Sequence, residues 1–453
     1  MNMSLRLPKS ILKDKNAHQS IAICFFAAFL FIALYFLRTI DDNSLTSWRL
    51  VFEHTSVWKI FVLVFVGVVL SYGFSNIALP GPRGLFLIAF ASSMVFWSEP
   101  EVVIDSSRYF TQSKHLGEYG VQFFFQQWGR EISPWTDLPL VPFLYGLIFR
   151  FLGESRLLIQ ILISTMFSMT VAITAMLGKE LFEGEAGEDI GNSAGALMLA
   201  IPYLYTQVPL MLVDVPSMFF LTLSIFLFNR AMQKGGALLV ILSALSIFLA
   251  LLSKFSIWMM LSVLCIILFL HVWRDQREAL KKGSMVLLIC GVLAGAFFFS
   301  YFDVIKEQLD LLVTFQKPGL KWWGESFVST FLFQVHPFVT FGALYSVFVA
   351  FRRKDPKYLV ISWLALLMLV LQVKRARYFV PVFPMFALMA AYGLSDLSSE
   401  RVRRVVVYCA VTISFTIAAF AYLPFLEKSS YSNLEKAGKF LNTLHHDKVR
   451  VLA

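Results

Sequence analysis

Residues 194–229, AGALMLAIPYLYTQVPLMLVDVPSMFFLTLSIFLFN, decide the fold of this chain. A helix that crosses a bilayer needs roughly 17–25 apolar residues, so this stretch of 36 residues is long enough for two short crossings. Its one charged side chain, Asp214, stands in Leu212-Val-Asp-Val-Pro216, where two apolar runs meet with almost no loop between them. We therefore predict two successive membrane helices, 193–210 and 214–231, with Asp214 held at one rim of the membrane.

The composition of the whole chain agrees with this local pattern. Hydrophobic residues make up 58% of the 453 residues, charged residues make up 15%, and the mean hydropathy is +0.70. Soluble domains are about 45–50% apolar and about 25% charged. Much of the surface must therefore face lipid. The net charge of +10 does not indicate a nucleic-acid partner, because the basic residues mostly lie in short loops between apolar runs.

The chain is predicted to be an all-α polytopic membrane protein with about thirteen transmembrane helices. Two helices belong to an N-terminal segment (1–82), the others to a catalytic core (83–425), and a tail follows (426–453). The predicted spans are 18–40, 57–79, 83–99, 156–178, 193–210, 214–231, 236–252, 255–273, 285–302, 330–351, 358–373, 379–396 and 405–424.

The positions of the basic residues predict the orientation. If the N-terminus is cytoplasmic, the Lys and Arg clusters near 274–282, 352–357 and 401–404 all lie on the cytoplasmic side. The apolar piece 138–152 must then lie at the outer interface without spanning. The outer side receives segment 100–155, a loop at 303–329 and the tail. In the tail we expect a short helix at 433–444 and a strand-like 448–452, which would begin a small α/β domain.

Several cations break this orientation rule. Lys374, Arg375 and Arg377 lie at an outer boundary, and Lys254 lies at another. Lys254 and Lys374 could extend toward lipid headgroups, as long basic side chains do. For the Arg375 and Arg377 pair we favour an anionic ligand, because a guanidinium can donate two parallel hydrogen bonds to phosphate oxygens.

Acidic residues occur on the same predicted side. Asp105 opens the first outer segment, Asp214 lies at the rim, and Asp137 precedes Pro139. Each carboxylate could simply cap a helix. Together with the outer cations they form the composition of a reactive site, with carboxylates for proton abstraction or metal binding and cations for phosphate.

Five motifs in order resemble the GT-C superfamily of membrane glycosyltransferases, and in particular its protein O-mannosyltransferase and aminoarabinose transferase-like branch. They cover about residues 95–425. They are Asp105-Ser-Ser-Arg-Tyr109, Trp135-Thr-Asp-Leu-Pro-Leu140 with Phe151-Leu-Gly-Glu-Ser155, Asp214-Val-Pro216, Leu252-Ser-Lys254, and Arg377-Tyr-Phe-Val-Pro381 with Pro384.

The resemblance implies transfer of a sugar from a polyprenyl-phosphate donor to a lipid, glycan or protein acceptor, with inversion at the anomeric carbon. The reaction would take place at the outer face of the plasma (inner) membrane, among membrane lipids. Asp105 would be the base, and Asp214 would complete a carboxylate pair. The implied donor-phosphate ligands are Lys254, Arg375, Arg377 and Tyr378, and the candidate sugar or acceptor contacts are Tyr109, Asp137, Trp322 and Trp323. The two tryptophans could instead anchor their loop at the membrane interface.

A divalent cation, Mg²⁺ or Mn²⁺, could bind Asp105 and Asp214 if the enzyme uses one. The family often has a second acid after the first Asp, and this chain has Ser106 there, which weakens the metal interpretation. Relatives with a Lys before their Pro-Pro-Leu segment use it on the donor phosphate. This chain has Asp137 and Leu138 at that place, so the aminoarabinose transferase activity in particular is not implied.

Two other functions fit the composition. A transporter or flippase of a lipid-linked or anionic solute would place its charges near mid-membrane on discontinuous helices. An envelope-glycan polymerase or ligase would also use a lipid-linked donor, but a diphosphate. The clustering of the unusual charges at one face favours the transferase.

Overall fold

The computed structural model describes residues 15–53, 55–97, 103–319, 324–430 and 432–443. Throughout these ranges the regular structure is helical and no strand is formed. Trp322, Trp323 and the strand predicted at 448–452 lie outside the described residues.

The longer helices are numbered here in chain order. They are α1 (Lys15–Phe36), α2 (Val57–Phe74), α3 (Pro82–Met94), α4 (Asp105–Gln127), α5 (Leu140–Leu152), α6 (Arg156–Phe182), α7 (Gly184–Met198), α8 (Asp214–Lys234), α9 (Ala237–Leu251), α10 (Phe255–Arg274), α11 (Gln276–Ser300), α12 (Phe302–Leu311), α13 (Pro337–Arg353), α14 (Tyr358–Val370), α15 (Ala376–Leu394), α16 (Glu400–Ser429) and α17 (Ser432–Asn442).

Each of the thirteen predicted spans overlaps one of these helices. In the described part of the chain, eight helices are long and apolar enough to cross a membrane: α1, α2, α6, α8, α10, α11, α15 and α16. The protein is therefore an integral membrane protein, while the count of thirteen spans and their orientation stay predictions.

The structure differs from the predicted boundaries at two places. The span predicted at 193–210 is α7, which starts at Gly184 and stops at Met198 because Ile201, before Pro202, is extended. The segment predicted as an outer loop, 303–329, begins as helix, because α12 continues into a π-helical turn (Leu312–Gln316).

The segment predicted to lie outside, 100–155, contains α4 and α5, which pack on each other. The Ser113 hydroxyl donates to the Pro142 carbonyl at 2.9 Å, and Arg150 donates to the Gly117 carbonyl at 3.2 Å. At Gly146 a Cβ atom would lie 2.7 Å from Leu116, so only glycine permits this approach. The pairing supplies the apolar partner that α5 needs, and it brings the start of α4 close to the loop that precedes α5.

The N-terminal helices α1 and α2 pack against α16 at the other end of the chain. Ser71 and Thr412 share a hydrogen bond of 3.0 Å, and the sulfur atoms of Cys24 and Cys409 are 3.9 Å apart. The loop after α1 reaches further: the Ser44 amide donates to Glu325 at 3.2 Å. The N-terminal segment therefore contacts the chain just before α13.

Close helix contacts in the core depend on glycine. At Gly191 of α7 a Cβ atom would lie 2.2 Å from the Ala175 carbonyl oxygen of α6, and at Gly393 of α15 it would lie 2.2 Å from the Gly342 carbonyl oxygen of α13. Backbones that approach this closely leave no space for a methyl group, as is common between membrane helices.

We expect Gly191→Ala to lower the melting temperature of the purified protein by several degrees, because overpacking typically costs about 1–3 kcal/mol. Gly295→Ala in α11 is the matched control, since nothing lies within 4 Å of a Cβ there. Thermal unfolding in detergent measures both. Equal melting temperatures for the two variants would contradict this packing.

Candidate active site

A buried carboxylate forms the centre of the site. Asp214, the first residue of α8, has no exposed surface. One of its oxygens accepts a hydrogen bond from Lys254 Nζ at 2.6 Å, and the other accepts from Arg377 Nε at 2.8 Å. A buried charge is stable only when it is paired and hydrogen-bonded. Both requirements are met here by cations from two other segments, before α10 and at the start of α15.

Arg377 joins two acids. While its Nε donates to Asp214, its Nη1 donates to Asp105 Oδ2 at 2.5 Å. Arginine can do this because its planar guanidinium carries donors that point in different directions. The ends of α4, α8 and α15 therefore meet at one side chain, and 29% of the Asp105 side chain stays exposed.

A second ion pair lies beside the first. Arg108 Nε is 2.5 Å from Asp137 Oδ2, and its Nη2 donates to Asp137 Oδ1 at 3.0 Å. Gln112 also donates to Asp137 at 3.2 Å. The same guanidinium is 3.7 Å from Asp105 Oδ1. The two ion pairs therefore form one continuous network.

Burial changes the ionisation of two groups in this network. Chiefly through burial, and against the effect of Arg108, the pKa of Asp137 is raised to about 6. Burial also raises the pKa of Tyr109 well above its ordinary value, so its phenol stays neutral.

A cavity of about 340 Å³ opens over this network. Its charged lining residues are four cations and two acids: Arg108, Lys254, Lys317, Arg377, Asp105 and Asp137. Small-molecule sites have volumes of about 300–1,000 Å³. The excess of cations suits an anionic ligand, and Asp105 lines the same space.

The structure brings most of the predicted site residues together. Six of them line the cavity: Asp105, Tyr109, Asp137, Lys254, Arg377 and Tyr378. Asp214 does not line it, but lies behind Lys254 and Arg377. Lys254 binds Asp214 and is 5.1 Å from the centre of the Tyr378 ring, so it does not extend toward lipid.

Arg375 differs from the prediction. Its Nε is 3.9 Å from Glu325, and it is absent from the described lining of the cavity. Glu325 also accepts from the Ala376 amide at 3.0 Å. Asp137 likewise does not cap α5, where Pro139 takes the capping position without a side-chain bond.

Sequence reasoning missed Arg108, Gln316, Lys317 and Glu325 as parts of the site. Arg108 could have been found, because it lies three residues after Asp105 on the same helix and inside the motif already singled out. Gln316 donates to Thr136 at 2.6 Å, and Glu325 is 50 residues from Arg375 in sequence. No local sequence pattern predicts either contact.

The carboxylates that were predicted to bind a divalent cation do not fit one as they stand. The space between Asp105 and Asp214 is filled by the Arg377 guanidinium, and the remaining Asp214 oxygen binds Lys254. Among the described residues, no three His, Cys, Asp or Glu side chains are grouped to hold a metal ion.

These features define an integral membrane protein with a charged cavity at one end of its helices. No protein-family model matches the chain, and no curated protein matches it. Solved structures do match. ArnT from Cupriavidus metallidurans bound to undecaprenyl phosphate superposes with a TM-score of 0.56 over 82% of this chain and 82% of ArnT. The apo state of ArnT gives 0.55 over 88% and 83%, and the identity is 15% in both comparisons. The chain therefore has the fold of ArnT, as the resemblance of its motifs implied.

We expect Asp214→Asn to lower the free energy of unfolding by about 3–5 kcal/mol, because it leaves Lys254 and Arg377 partly buried without their shared anion. Glu188→Gln is the control, since it removes an acid whose pair with Lys179 is exposed on both sides, and such pairs contribute about 0–1 kcal/mol. Denaturant or thermal unfolding of the purified variants measures the difference. Two variants of equal stability would contradict the central role of Asp214.

Proposed function

We propose that this protein is a glycosyltransferase that moves a sugar from a polyprenyl-phosphate donor to an acceptor at the outer face of the plasma (inner) membrane. The observation that carries the proposal is the position of Lys254 and Arg377 in a cavity that Asp105 also lines. The fold adds support, because the ArnT structure that it resembles is bound to undecaprenyl phosphate.

The cations would bind the donor phosphate. Lys254 and Arg377 are fixed from behind by Asp214, and Arg108 and Lys317 line the same cavity. Negative charge develops on the phosphate as the bond between the anomeric carbon and the phosphate oxygen breaks. Donors that are already oriented toward that charge stabilise the transition state most effectively. Asp214 itself touches no substrate in this scheme and is a positioning residue.

Asp105 would be the general base. It takes the proton from the acceptor hydroxyl, the hydroxyl oxygen attacks the anomeric carbon, and the phosphate leaves with the electron pair from the opposite side, which inverts the configuration. Proton uptake by Asp105 also removes a negative partner from Arg377. The guanidinium charge then becomes available to the leaving phosphate at the step that needs it.

The scheme uses no metal ion, in keeping with the occupied carboxylates. Tyr109, Asp137 and Tyr378 line the cavity and are the candidate contacts to the sugar or to the acceptor. The acceptor is a hydroxyl compound, and a lipid, a glycan and a protein all remain within the proposal.

We expect Asp105→Asn to reduce sugar transfer at least a thousandfold while the protein keeps its melting temperature within a few degrees. The assay is transfer of radiolabelled sugar from polyprenyl-phosphate donors to membrane extract by purified protein. Asparagine retains the shape and can still accept from Arg377, but it cannot take a proton at neutral pH.

Asp303→Asn is the matched control, because Asp303 is also an acid in the first turn of a helix, α12, and lies outside the cavity lining. Transfer by wild type and Asp303→Asn alone is the expected result. Equal transfer by Asp105→Asn would rule out Asp105 as the base.

A further inference from the structure

A second cavity, lined by both charged and apolar residues, lies at the other end of the helices. Its volume is about 300 Å³, and α6, α8, α10 and α14 contribute to its walls. One lining residue, Asn229, is fifteen residues after Asp214 on α8, which corresponds to about 22 Å at the rise of an α-helix. A bilayer core is about 30 Å thick. The two cavities therefore belong to opposite halves of the membrane.

An unpartnered amide lines this second cavity. Asn229 is 2% exposed, and its Nδ2 has no hydrogen-bond partner among the described residues. A buried donor without a partner costs about 1–3 kcal/mol. This side chain therefore gains most from a ligand that brings an acceptor oxygen into the cavity.

The charged groups around the cavity favour an anion. The cations Arg274 and Lys357 line it, and the imidazole of His271 lies beside them. One acid, Glu183, lines it as well and accepts from Lys357 Nζ at 3.0 Å. Because a lysine ammonium has three donors and Arg274 has five, both cations retain donors for a phosphate beside Glu183.

The remaining lining is apolar and suits a lipid. Leu181, Ile267, Leu270 and Val360 form the walls, and Trp273 at the rim is 75% exposed. Tryptophan is enriched where a membrane helix meets the headgroup layer. A ligand in this cavity would have its phosphate among the cations and its chains along apolar walls.

We propose that this cavity binds the phosphodiester headgroup of an anionic phospholipid in the membrane half opposite the active site. Basic pockets between membrane helices are suited to such headgroups. Asn229 donates to a phosphate or glycerol oxygen, Arg274 and Lys357 neutralise the charge, and the acyl chains extend along Ile267 and Leu270 toward lipid. The site is separate from the donor-phosphate cations and does not depend on the proposed transfer reaction.

The test is native mass spectrometry of delipidated protein titrated with phosphatidylglycerol or with zwitterionic phosphatidylcholine. We expect the affinity for the first phosphatidylglycerol to fall at least tenfold in Asn229→Leu and in Arg274→Gln. Lys281→Gln is the matched control, because it removes a cation from the same end of the helix bundle outside the cavity lining. The control should bind phosphatidylglycerol as wild type does.

Folding is checked by the melting temperature without lipid. Asn229→Leu should be as stable as wild type, since it replaces an unsatisfied amide by an apolar group of similar size. Unchanged phosphatidylglycerol affinity in both variants would overturn the proposal, and so would equal affinity for phosphatidylcholine. Displacement of the lipid by millimolar glycerol phosphate would show a site for soluble anions instead, which would also overturn it.

Discussion

The structure depends on the buried carboxylate of Asp214. A carboxylate without exposed surface cannot stay ionised unless cations and hydrogen bonds replace its water, and here Lys254 and Arg377 do so. This requirement brings the residue before α10 and the first turn of α15 to the start of α8. Arg377 then extends the network to Asp105. Arg108 lies close to both Asp105 and Asp137 and so connects Asp137 to the same network. The need to pair one buried carboxylate therefore fixes the positions of Lys254 and Arg377 in the cavity lining.

Much of this arrangement could be predicted from the sequence, because hydropathy governs membrane helices directly. Every predicted span overlaps a helix, and Asp105, Asp214, Lys254 and Arg377 stood out since charges at that membrane boundary need a reason. The order of the five motifs along the chain predicted how these helices are arranged. The predicted helix boundaries differed from the structure where a proline forces the preceding residue out of the helix, as at Ile201 before Pro202. They also differed at α12, because a polar amphipathic helix has the composition of a loop.

The relative roles of neighbouring charges could not be predicted. Arg375 and Arg377 are two residues apart and look equivalent in sequence. In the structure, Arg375 has an extended backbone just before α15 and its side chain faces Glu325. Arg377 lies in the first helical turn and faces the two aspartates. That difference arises from tertiary partners: Glu325 is itself bound by Ser44 after α1. The cations of the candidate site lie at the ends of helices, and charges there suit chemistry at a membrane surface better than transport through the middle.

The most direct test of this account is the affinity of the purified protein for a polyprenyl phosphate when each arginine is changed to lysine. Both variants keep the net charge, so electrostatics alone predicts no difference between them. Lysine cannot bridge Asp105 and Asp214 as a guanidinium does. We predict that Arg377→Lys weakens binding at least tenfold, or about 1.4 kcal/mol, and that Arg375→Lys stays within about twofold of wild type. Equal losses in the two variants, or a loss confined to Arg375→Lys, would contradict the arrangement around Asp214.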